Sequence, residues 1–138
     1  MGDQIDVAIL ETLVGSFGLG YGYGIYWGTL HLIERLRCDT TYEVVRRGAM
    51  EGAPGVRQWC LMLLGRRREL QDLPIFLARL SDTEALVVVE AIGGIRAMAQ
   101  THAIPETLPS VMVLVESPEH DIALRARKAV AEITRIER

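Results

Sequence analysis

The sequence predicts an all-α domain of about eight helices in stacked pairs. Three observations carry this. Apolar residues recur at helical period along most of the chain. Segments open on capping residues and close on breakers. One ten-residue pattern returns at three places. The tempting strand, "ALVVVE" at Ala85–Glu90, is β-branched, but its pattern continues through Ile92 and Ile95 and favours a helix buried on most sides.

In chain order, "QIDVAILETLV" gives a short opening helix. In "IYWGTLHLIERLR", Ile25, Trp27, Leu30, Leu32, Ile33 and Leu36 form a broad apolar face opposite Glu34, Arg35 and Arg37. "TTYEVVRRGAMEG" opens on a capping box of Thr40 and Glu43. "GVRQWCLMLLG" places Val56, Trp59, Cys60, Leu63 and Leu64 on one side and stops at Gly65. "LQDLPIFLARL" tolerates Pro74 only in a first turn. "SDTEALVVVEAIGGI" starts on a second capping box, Ser81 and Glu84. In "IPETLPSVMVLVE", Pro109 falls a turn inside and implies a kink or a late start. The last helix takes Ser117 as cap and Pro118 as first residue.

The repeat aligns "VRQWCLMLLG" (56–65), "EALVVVEAIG" (84–93) and "IALRARKAVA" (122–131), at spacings of 28 and 38 residues. Cys60, Val88 and Ala126 coincide, as do Leu63, Ala91 and Ala129, and then Leu64, Ile92 and Val130. Each copy follows another helix, so the unit is a helix pair that buries its apolar face against neighbouring pairs. "VRQWCLMLLG" resembles the second helix of the HEAT repeat family in its short "VRxxAxxALG" form, with Cys60 in place of the alanine. The resemblance runs from about Thr40 to Ile136 and implies a HEAT-like solenoid, a right-handed α-α superhelix. On that reading the 138 residues are one domain: 1–24 form a cap helix and a Gly/Tyr-rich loop, and 25–138 the stacked pairs.

The stretch from Gly15 to Leu36 holds six glycines and three tyrosines. It is no phosphate loop, for it matches neither GxGxxG nor GxxxxGK[ST] and no strand precedes it. Thr12–Ile33 carries no acidic or basic residue, yet its glycines, tyrosines and His31 leave it too polar for a membrane span. A glycine-rich connection into a helix remains. Tyr26 and Trp27 then pack into the first pair, and the tyrosines cover the open end of the stack or form a binding surface.

Chemistry is sparse. Cys38 and Cys60 have 21 residues between them and no histidine cluster, so neither a metal nor a cofactor is expected. Free thiols and an acidic N-terminus argue for a cytoplasmic protein. The net charge of -3 argues against a nucleic-acid partner. His31 shares a helix face with Glu34, which is more often a surface contact than a site. No serine stands in GxSxG.

The expectation is therefore a non-catalytic protein-interaction module rather than an enzyme. Its partner-binding residues would be Tyr21, Tyr23, Tyr26 and Trp27, with Arg57, Gln58 and Glu90 exposed on the second helices. The HEAT resemblance implies, most concretely, an immunity protein that neutralises a bacterial toxin, or an adaptor. The partner would be another protein or a second copy of the chain. The alternative is a small-ligand-binding or lyase-like accessory enzyme of the same family, with its ligand near Trp27 and His31.

Overall fold

The computed structural model describes residues 7–20, 22–36 and 39–136; the side chains of Tyr23 and Ile136 are outside that description. Among the described residues there are eight α-helices and no strand. They are α1 (Val7–Gly15), α2 (Ile25–Arg35), α3 (Asp39–Glu51), α4 (Pro54–Arg67), α5 (Leu73–Arg79), α6 (Ala85–Ala99), α7 (Leu108–Met112) and α8 (His120–Ile136). The chain forms two compact units, Met1–Leu64 and Gly65–Arg138.

In the first unit α1 packs on α3 and α2. Leu10, Val14, Leu30, Ile33, Val45 and Ala49 are buried there with Trp59 and Cys60 of α4. The apolar face of α2 is narrower than its sequence predicts. Leu30 and Ile33 are buried, but Ile25 is 74% exposed and Leu32 43%. Only the Leu30–Ile33 row, one helical turn long, is covered by its neighbours.

In the second unit α6 packs on α5 and α8, and α7 on α8. Nine residues of α6 are buried, from Val87 to Ala99, as expected of a helix covered on most sides. The repeat positions Cys60, Val88, Ala126, Leu63, Ala91, Ala129, Leu64 and Ile92 are all buried. Val130, the ninth place of the third copy, is half-buried, so the repeat is a packing pattern at eight of its nine aligned places.

Helix ends depart from the sequence reading in four places, each for a local reason. The third helix starts at Asp39, so Thr40 is already helical and not its cap. The fourth runs through Gly65 and ends at Arg68, which takes the left-handed conformation (φ 56) that glycine usually supplies. Arg68 donates from Nη2 to Gln100 Oε1 at 2.9 Å, which offsets part of the cost. At the start of α6 the Ser81 box is not used. Asp82 accepts the Glu84 amide hydrogen at 3.0 Å and pairs with Arg79 at 3.2 Å. Before α8, Ser117 Oγ accepts the Glu119 amide hydrogen at 3.2 Å, and the helix starts at His120, beyond Pro118. Two prolines behave as expected: Pro74 sits in the first turn of α5, and Pro109 gives α7 its late start after a 3-10 turn.

Two adjacent glycines on α6 make opposite predictions. A Cβ on Gly94 would enter the Phe76 ring, whereas one on Gly93 meets nothing within 4 Å. Gly94→Ala should cost about 1–3 kcal/mol by overpacking. Gly93→Ala should stabilise by up to about 1 kcal/mol, because alanine is the better helix former. Urea unfolding of the two variants checks both signs. A second prediction concerns Cys60. Burial pushes its thiol up from the usual 9.0, so the folded chain keeps the proton where the unfolded chain releases it. Above that value the unfolded state binds fewer protons, and stability falls by about 1.4 kcal/mol per pH unit. Unfolding of wild type and Cys60→Ala at about pH 8 and about pH 10 should show the extra alkaline loss in wild type alone.

Candidate functional site

The glycine stretch is built into the first unit. Gly20 donates its amide hydrogen to Gln58 Oε1 at 2.8 Å, and its carbonyl accepts from Trp59 Nε1 at 2.8 Å. Neighbouring residues on α4 thus hold both polar groups of one loop residue. Gly20, Gly22 and Gly24 have positive φ, which L side chains resist. On α4, a Cβ at Gly55 would overlap the backbone of Gly18 and Leu19, so the loop lies directly on the helix. The aromatic residues close around this clamp. Phe17 stacks on Trp59 (5.4 Å, 7°), while Trp27 (5.2 Å, 84°) and Tyr26 (5.6 Å, 64°) meet Trp59 edge-on.

This geometry decides where the residues expected at a partner surface lie. Gln58 is not exposed: it is fully buried, because the Gly20 amide needs its carbonyl. Tyr26 and Trp27 are half-buried in the aromatic cluster. Arg57 is half-buried and donates from Nη1 to the Gly52 carbonyl at 2.9 Å. Glu90 is half-buried on α6, in the other unit. Tyr21, Cys38 and the side chain of Tyr23 lie outside the described residues. His31 does meet Glu34, at 3.3 Å, on an exposed face.

A cleft of about 420 Å³ opens elsewhere in the first unit, lined by neither Trp27 nor His31. Its first wall is α1, through Glu11, Val14 and Gly15. Its second wall is α3, through Val44, Arg47, Gly48 and Glu51. The i, i+3, i+4 and i, i+3, i+4, i+7 spacings put each set on one helix face. Gly52, Ala53 and Val56, at the turn into α4, complete it. The floor is apolar: Val14, Val44 and Val56 are buried. The rim is charged, with Glu11, Arg47 and Glu51 exposed.

Small residues shape the cleft. A Cβ on Gly48 would sit 2.6 Å from Cys60 Sγ and 3.2 Å from Val14 and Val56 methyls, so α3 lies close on its neighbours only with glycine there. The turn is fixed too. The Gly52 amide donates to the Gly48 carbonyl at 3.0 Å, and Arg57 holds the Gly52 carbonyl from the other side. Arg57 thus braces a wall of the cleft.

Chemically, the cleft offers an apolar bed with two carboxylates and a guanidinium at its edge. Glu11 and Glu51 can accept a proton or a hydrogen bond, and Arg47 can donate to a carboxylate or carbonyl. Among the described residues no three His, Cys, Asp or Glu side chains group as metal ligands. Among them, too, no helix is long and apolar enough to cross a membrane.

No family model matches the chain, and no curated protein does. Among solved structures, human deoxyhypusine hydroxylase, determined in complex with glycerol, is similar in fold. The TM-score is 0.69 at 16% identity, and the match covers 95% of this chain and 44% of the hydroxylase chain. That protein is an all-α, HEAT-like enzyme, and the likeness establishes the HEAT-like fold class here. It also corrects two expectations drawn from the sequence. The chain was expected to be a non-catalytic interaction module, an immunity protein or adaptor, and not an enzyme. The fold that it shares over nearly its whole length is that of an enzyme.

Proposed function

We propose that this chain is a small-molecule-handling protein of the HEAT-like class, a ligand-binding or accessory enzyme, and that the cleft between α1, α3 and the start of α4 takes the ligand. The observation that carries the reading is the cleft itself. Its volume of about 420 Å³ lies within the usual range for small-molecule sites. An apolar floor with a few convergent polar groups is the usual composition of such sites. The fold likeness to an enzyme supports a catalytic rather than a purely structural use.

The lining defines the ligand class. Buried valines favour an aliphatic or aromatic body. Two carboxylates at the rim favour an amine or several hydroxyl donors, and Arg47 a carboxylate or carbonyl. If a proton moves in the reaction, Glu11 and Glu51 are the lining groups able to take it, since arginine stays charged.

Gly15 provides the test. It lines the cleft at the exposed end of α1, and a Cβ there meets nothing within 4 Å, so Gly15→Trp should fold and fill the site. A fragment collection of apolar amines, alcohols and amino acids is screened by thermal unfolding. A ligand at a hundred times its Kd stabilises by about 2.7 kcal/mol, or roughly 8 °C in a domain this size. The expected result is a set of ligands that raise the Tm of wild type and leave Gly15→Trp unmoved. Equal shifts in both proteins, or none in either, would refute the assignment.

A further inference from the structure

The second unit carries a different feature. Arg96 of α6 and Arg125 and Lys128 of α8 line one recessed pocket of about 50 Å³, with Ile92 and Gly93 as its base. Among the described residues no carboxylate lines it. Gly93 leaves the space open, for a Cβ there would meet no atom within 4 Å. The positions follow from helix geometry. Gly93 and Arg96 are one turn apart on α6, Arg125 and Lys128 one turn apart on α8, and α6 and α8 pack on each other.

Three cations around so small a space repel one another. One carboxylate offsets part of this. Arg125 reaches Asp121 only through Nε, at 3.4 Å. Glu132, one turn beyond Lys128, is paired with Arg135 at 3.2 Å. An anion held between the three removes the repulsion. Guanidinium and ammonium groups are the donors that the oxygens of a tetrahedral oxyanion take.

We infer that Arg96, Arg125 and Lys128 form a binding site for the phosphoryl group of a small phosphorylated molecule. The pocket admits one such group, not a run of them. The chain carries a net charge of -3, and Asp121 and Glu132 border the cluster, which discourages a long polyanion. The site does not depend on the cleft of the first unit, and none of its residues lines that cleft.

The test uses the whole chain with inorganic phosphate and phenyl phosphate as probes, by calorimetric titration at fixed ionic strength. Arg96, Arg125 and Lys128 are all exposed, so Arg96→Gln and Lys128→Gln should keep the helicity of wild type. Arg127→Gln, on α8 but outside the pocket lining, is the control. The expected result is saturable binding of both probes, one per chain, weakened at least tenfold by either pocket variant and unchanged by Arg127→Gln. Absence of saturable binding would overturn the site. So would equal weakening by Arg127→Gln, which would mean diffuse attraction. Tighter binding of duplex DNA or of anionic vesicles than of phenyl phosphate would overturn the small-molecule assignment.

Discussion

Neighbouring atoms lie where a side chain would otherwise be. At Gly55 the loop of Gly18 and Leu19 rests on the helix, at Gly48 α3 closes on Cys60, and at Gly94 the Phe76 ring fills the place of a Cβ. Close approach of this kind removes water from the backbone on both sides, so every polar group left there needs a partner. Gly20 shows how that need is met. Its amide and carbonyl are taken by Gln58 and Trp59, successive residues of one helix, and each bond left unmade would cost about 1–3 kcal/mol. The aromatic cluster then follows, because the indole that donates to Gly20 is also the ring against which Phe17, Tyr26 and Trp27 pack.

The same constraint produces the cleft. Gly48 and Gly52 let the α3–α4 turn close on Cys60 and Val56, and Gly15, with nothing within 4 Å of its missing Cβ, leaves the α1 side open. The α3–α4 turn is braced by Arg57, so that wall is held before any ligand arrives. Preorganisation of this sort lowers the ordering cost of binding. In the second unit the trade is electrostatic: α6 and α8 share apolar faces, and their outer edges bring three cations together.

The helices and the repeat were legible because burial imposes a period, and that period can be read one residue at a time. Cys60, Val88 and Ala126 lie in equivalent places and are all buried. The late start of α7 was legible because proline lacks an amide hydrogen. Gln58 was not legible. A glutamine on a helix reads as solvent-facing, and its burial depends on a loop residue 38 positions away. Ile25 and Leu32 read as core but have no neighbour over them. The cleft was hidden for a similar reason. Glu11 and Glu51 come from helices far apart in sequence, and nothing in the sequence pattern marks Gly48 and Gly52 as the shape of a site. A sharper signal was present in the ladder Val44, Arg47, Gly48, Glu51, which mixes apolar, charged and small residues on one helix face.

The central claim is that this glycine-shaped framework holds a ligand site between α1, α3 and the start of α4. The most direct measurement is a fragment titration followed by amide chemical shifts in the ¹⁵N-labelled chain. The account predicts that bound fragments move the amides of Gly15, Arg47, Gly48, Gly52 and Ala53 together, and leave those of α8 in place. Fragments that shift the aromatic cluster around Trp59 instead, or that leave every cleft amide unmoved, would contradict it.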